Sequence, residues 1–290
     1  MKIKMIGILT TSAVLGIMNR FHTMFIKACF AGLLLSAISG VRAQGPIGPS
    51  CGNISIIADA MIDGRLFQKG EYQLNSSGIT CAQVVGSDGI LGVILSLKET
   101  DKLPPPWASL SDAIGAPKFS AGAGIGFRLQ KVSDLSLVAV PLTPSVGVTT
   151  KASAGSTAMF SIGASSNRGV TSGHNFTSAD ALEINGAITP QSDDRLRAAN
   201  IYVVARIDSA TPYFMSLSRL GTWGVWSGAV AELSPAYTVP RFETELMFPI
   251  YSGKLKAGST VAIFVGYSSI SAGTDMPIHY NSTPYNISVQ

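Results

Sequence analysis

Charge is what this sequence has least of. Asp, Glu, Lys and Arg make up 13% of its 290 residues, about half the share usual in soluble domains. That figure excludes a highly charged disordered chain and a charge-laced helical bundle. The apparent basic excess has a local source. Five of the 21 Lys and Arg (Lys2, Lys4, Arg20, Lys27, Arg42) and none of the 17 Asp and Glu lie in residues 1–43, so residues 44–290 carry 16 basic against 17 acidic, a formal charge of −1. Net charge therefore gives no ground for a nucleic-acid partner or for binding an anionic membrane surface.

Cysteine and histidine are scarce too. Beyond residue 43 only Cys51, Cys81, His174 and His279 remain. No H-x-x-x-H, H-E-x-x-H or EF-hand spacing occurs, so no metal or other cofactor is expected. There is no G-x-S-x-G elbow, and a Ser-His-Asp set would have to assemble in space. Asp193-Asp194 reads as a solvated turn rather than a calcium pair. Glu243 and Glu245 read as exposed positions on one strand face rather than a glycosidase's carboxylates. Gly122, Gly124 and Gly126 have G-x-G-x-G spacing with no helix pattern after them, which suits a strand or bulge and not a dinucleotide site. No enzyme is expected from this inventory. After residue 43 no apolar run approaches the ~20 residues of a membrane span.

What is present begins with an address. Residues 28–39 form an uncharged apolar run preceded by Lys27, and Val41-Arg42-Ala43 puts small residues at −3 and −1 of a cleavage site. Residues 1–43 thus read as a signal peptide cleaved after Ala43, with Met24 as the alternative start, and the protein is expected to be secreted or at the cell surface. In an oxidising compartment Cys51 and Cys81 are expected to form one disulfide.

The remainder reads as all-β, in two antiparallel sandwich-like modules. Residues 44–50 are a Gly/Pro lead-in. Residues 51–140 form an N-terminal module with the disulfide, and its strands are expected near 54–58, 65–68, 71–74, 79–85 and 89–97. A short helix is expected at 109–114, and further strands at 128–132 and 135–140. Residues 141–144 are a linker, and 145–290 a C-terminal sandwich with strands near 146–151, 158–163, 181–188, 200–207, 211–217, 243–250, 259–267 and 284–289.

Aromatic residues supply the candidate contact sites. Trp107 ends a stiff Pro104-Pro-Pro106 loop. Tyr213, Trp223, Trp226 and Tyr237 lie in the densest aromatic stretch. Trp223 and Trp226 fall on opposite faces of an ideal strand, unless a turn at Gly224 brings them together. The segments 201–206, 213–215, 221–226, 229–231 and 261–267 resemble a β-sandwich module of bacterial secreted and surface proteins, some associated with pili and adhesion. The resemblance spans residues 200–267. It implies surface display with binding or assembly, and brings no catalytic residue.

The expectation is therefore a non-catalytic secreted or cell-surface β-protein that mediates attachment or extracellular assembly. One version is a filament subunit in which a terminal segment, 44–50 or 284–290, completes a neighbour's sheet. Its partners would be other copies of itself or surface proteins. The alternatives are a carbohydrate-binding module with an aromatic platform and, further off, a secreted hydrolase.

Overall fold

A computed structural model describes residues 48–111, 117–151, 155–270 and 277–290. The expected leader lies outside the described residues. The N-terminal part is built on strands β1 (Ser50–Ile56), β2 (Ala60–Ile62), β3 (Arg65–Phe67) and β4 (Gly70–Ser77), helices α1 (Cys81–Val85) and α2 (Ile90–Leu95), and strands β5 (Ala108–Ser111), β6 (Pro117–Gly122) and β7 (Ile125–Ser133). Its main sheet has the order β1-β4-β7-β6-β5 and is antiparallel throughout. Alternate residues of β4 are buried, as a half-covered strand requires.

Two strands expected here are helices. Residues 79–85 contain α1, because Thr80 and Gln83 close a capping box: the Thr80 hydroxyl accepts from the Gln83 N–H, and the Gln83 side chain accepts from the Thr80 N–H. Within residues 89–97, Ile90–Leu95 forms α2, which buries Leu91, Ile94 and Leu95 against the sheet's core. A short apolar run suits a strand or a buried helix equally, and here packing decides. The disulfide is formed, with Cα atoms 5.4 Å apart, but it ties β1 to α1 and not to a fourth strand. The expected helix at 109–114 is β5 as far as Ser111, and its remainder lies outside the described residues. No strand forms at 135–140.

The C-terminal part contains β8 (Thr143–Thr149), β9 (Met159–Ser166), β10 (Thr171–Ser172), β11 (Asn175–Phe176), β12 (Leu182–Thr189), β13 (Ala199–Asp208), β14 (Tyr213–Leu217), β15 (Trp223–Trp226), β16 (Tyr237–Val239), β17 (Leu246–Gly253), β18 (Thr260–Ser269), β19 (His279–Asn281) and β20 (Tyr285–Val289). The path β15-β14-β13-β18-β19-β8-β9-β12-β17 is continuous, and it curls into a half-barrel. Its two halves face each other across a core that includes Phe160, Ile184, Val203, Phe248, Ile263 and Tyr267. The fold is all-β. Thr143 and Pro144 pair with β9, so the expected linker residues belong partly to this sheet.

Both parts lie within one compact unit, residues 45–290. Arg219, in the turn between β14 and β15, joins them. It is only 7% exposed, and it donates to the Gly86 carbonyl at 2.6 Å and the Thr238 hydroxyl at 3.1 Å. The neighbouring Leu220 packs on the N-terminal core.

Of the expected exchange segments, β20 and the described Pro49 of residues 44–50 are held in their own molecule. β20 pairs with β18 on one side and, in parallel, with β11 on the other. The Tyr285 hydroxyl donates to the Gly173 carbonyl at 2.7 Å. At the other end, the Ser76 N–H donates to the Pro49 carbonyl. Exchange of either segment between neighbours would first have to break these bonds.

Candidate functional site

Strands β13 and β18 read as continuous apolar runs, Ile201–Ala205 and Val261–Val265 in residue terms. Such runs are typical of strands covered on both faces. Here one face packs in the core, and the other is recessed rather than open to solvent: Tyr202 and Phe264 are half-buried, and Val204 and Ala262 are buried. On that outer face Val204 sits opposite Phe264, while Tyr202 sits opposite Gly266, which in turn faces Tyr280 of β19. At the other side Phe214 of β14 faces Trp226 of β15, their ring centroids 5.8 Å apart and 75° inclined.

These residues floor a cleft of about 290 Å³. One wall is Trp226 with the 228–233 segment, which contributes Gly228, Val230 and Leu233. The Trp226 indole N–H pins that wall by donating to the Ala229 carbonyl at 2.9 Å. The opposite wall is Thr150 with Ile278, joined by two hydrogen bonds: Thr150 N–H to Ile278 carbonyl and Ile278 N–H to Thr150 hydroxyl. Among the described residues no charged side chain lines the cleft. Arg206, farther along β13, is paired with Asp208 at 2.9 Å. Several polar groups of the cleft are already engaged, among them the Tyr202 hydroxyl with Ser268. The site is therefore suited to apolar groups.

Of the aromatic residues singled out in the sequence, the structure puts Trp226 alone in this cleft. Trp223 lies on the opposite face of β15, as the strand spacing requires. The β14–β15 pairing has no bulge at Gly224 to bring the two together. Trp223 instead borders a wholly apolar opening of about 200 Å³ between the two halves of the sandwich, with Met215, Ile250 and Leu255. Tyr213 is exposed at the start of β14. Tyr237 is not a surface residue. It is buried in the core, burial pushes its phenol pKa up, and its hydroxyl donates to the Pro249 carbonyl at 2.7 Å. Pro249 lies on the terminal strand β17 and has no N–H to offer a neighbouring chain. Trp107 packs on Phe127 at 5.5 Å, at the margin of the N-terminal core.

Tyr202, Phe214, Phe264 and Tyr280 were missed in the sequence. For Tyr202 and Phe264 the signal is the unbroken apolar character of β13 and β18; Phe214 adjoins Tyr213 in the aromatic stretch, and nothing in the sequence marks Tyr280 of β19. An alternating strand would have left the outer face polar.

A second constellation comes together at one end of the sandwich. Ser156 Oγ is 2.9 Å from His279 Nδ1, and His279 Nε2 is 3.7 Å from the Asp194 carboxylate. The Tyr267 hydroxyl donates to the same carboxylate at 2.8 Å, and its ring stacks on the imidazole at 5.0 Å. A serine–histidine–aspartate sequence thus exists in space. Its geometry is that of a buried polar seam. His279 and Asp194 are 5% and 3% exposed. The Ser156 oxygen also accepts from the Ala158 N–H, and neither cavity described above is lined by it. Burial lowers the His279 pKa and outweighs the nearby Asp194 charge, so the imidazole is neutral at neutral pH.

The acidic pairs do not form sites. Asp194 is buried against Tyr267, whereas Asp193 bonds Ser192. Glu243 and Glu245 precede β17 in an irregular segment, so they do not share a strand face. Among the described residues no group of three His, Cys, Asp or Glu is placed to hold a metal ion. No helix among them is long and apolar enough to cross a membrane. No family model, no curated protein and no solved structure matches the chain.

Proposed function

We propose that this is a non-catalytic, secreted or cell-surface β-protein that mediates attachment or extracellular assembly, with its partner received in the cleft between Trp226 and Tyr280. The observation that carries this reading is an uncharged aromatic floor on the recessed outer face of a sheet whose other face is already packed. Apolar surface concentrated in a concave site is what a partner's anchoring side chains require. The strands beneath are continuous with the core, so the floor is rigid and little order has to be gained on binding.

The carbohydrate alternative has less support. Sugar rings stack on flat aromatic platforms and bond to surrounding polar groups. Here Phe214 and Trp226 meet edge to face, and the Trp226 N–H and Tyr202 hydroxyl are already engaged.

The test is retention of each protein on the surface of cells that produce it as their sole copy, wild type or variant. Wild-type protein should be retained, and Phe214→Asp, which places a charge in the cleft floor, should be lost to the wash. Equal retention of the two would sink the assignment of the cleft.

A further inference from the structure

The turn between β9 and β10 is unusual in two respects. Asn167, Arg168 and Gly169 have successive φ values of 54°, 57° and 92°, so Arg168 occupies the left-handed region, which asparagine and glycine tolerate but which is unfavourable for arginine. The next residue, Val170, is 83% exposed, the highest value among the exposed large hydrophobic residues. The turn is nonetheless firmly based. Thr171 and Ser172 pair back onto Ser166 and Ser165, and a Cβ on Gly169 would come within 2.9 Å of the Ala139 carbonyl. A strained, fixed backbone thus presents an apolar knob to solvent, with the exposed Arg168 beside it.

The cleft has complementary features. Its described lining is apolar and carries no charge, and it is large enough for a branched aliphatic side chain and its neighbours. Its wall carries Glu232, which is exposed and lies between two lining residues, Val230 and Leu233. Glu232 accepts a hydrogen bond from Ser227. Knob and cleft lie on different halves of the sandwich: β9 belongs to the β8-β9-β12-β17 half, and the cleft is built on β13, β14, β15, β18 and β19.

We propose that the cleft receives the Val170 knob of a second copy of this chain, with Arg168 of that copy meeting Glu232 on the wall. This rests on the reading of the cleft as the partner site, and names the partner. The contact joins two different surfaces, so it is heterologous. Repeated without closure, it builds an open filament and leaves an unfilled cleft at one end. No terminal segment is exchanged, which agrees with β20 being seated in its own molecule.

Sedimentation velocity of the purified protein over a concentration series tests this. Wild type should self-associate, and Val170→Asp should weaken association about tenfold or more. Arg168→Glu and Glu232→Arg should each weaken it roughly threefold, and combining them should restore it. Both knob positions are exposed, so melting curves should not change. The proposal is overturned if wild type stays monomeric throughout, if Val170→Asp associates like wild type, or if the paired reversal is no better than either single one. Self-association lost in Phe214→Asp but unchanged in Val170→Asp removes the knob and leaves the cleft. A monomer still retained on cells through Phe214 removes self-docking and leaves attachment.

Discussion

Gly92→Ala in α2 should destabilise the protein only while Arg219 is present. Its Cβ would stand 2.4 Å from Arg219 Nη2 and 2.7 Å from Cζ. A free guanidinium would swing aside at little cost. This one is held by the Gly86 carbonyl at 2.6 Å and Thr238 at 3.1 Å. Moving it sacrifices charge-assisted bonds, each worth about 1.5–3 kcal/mol, in a buried site. Against that, Ala is better than Gly inside a helix by about 1 kcal/mol. The single variant should therefore lose about 2 kcal/mol. In an Arg219→Ala background the clash is absent, and Gly92→Ala should instead add up to about 1 kcal/mol. The coupling between the two positions is then about 2–3 kcal/mol. Urea unfolding followed by circular dichroism, with midpoints compared at constant slope, measures all four proteins. Equal destabilisation by Gly92→Ala in both backgrounds would refute the idea that the guanidinium lies pinned over α2.

Other predictions follow from the same contacts. Replacing Cys51 and Cys81 together by Ser opens a loop with a sequence separation of 30 and should lower stability by about 3.6 kcal/mol on the chain-entropy model; an unchanged urea midpoint would contradict it. Trp223→Ala, at the sandwich opening, should cost about 2–3 kcal/mol of stability, while Trp226→Ala should cost about 1 kcal/mol and lose partner binding; reversed rankings would mean the two faces of β15 are misassigned. Because burial lowers the His279 pKa, the unfolded chain takes up a proton first as pH falls below about 6.5. Stability should decline from there until the native imidazole also protonates, and His279→Gln should remove that slope. Asp134 and Asp180, whose pKa values are lowered by Lys131 and by Thr177 respectively, act only below about pH 4 and leave this window clear.

The longer strands of the C-terminal sandwich were legible because turn clusters separate them, whereas β10, β11, β15, β16 and β19, of two to four residues, were too short to show a pattern. The two helices of the N-terminal part were not. Gln83 placed three residues after Thr80 was a readable capping signal, but the apolar composition around it favours a strand equally. The opposite placement of Trp223 and Trp226 follows from strand periodicity alone. The cleft needed the structure, since Tyr202, Phe214, Phe264 and Tyr280 come from four strands whose order is not the chain order. The Ser156–His279–Asp194 seam is equally non-local, with a sequence separation of 123 between Ser156 and His279.

The central claim is that the outer aromatic face makes the protein's working contact. It is tested most directly by electron microscopy of cell surfaces producing wild-type protein, no protein, or a folded Phe214→Asp variant secreted at the wild-type level. The account predicts a surface assembly with wild type and none with either of the others. An assembly that persists unchanged with Phe214→Asp would contradict it.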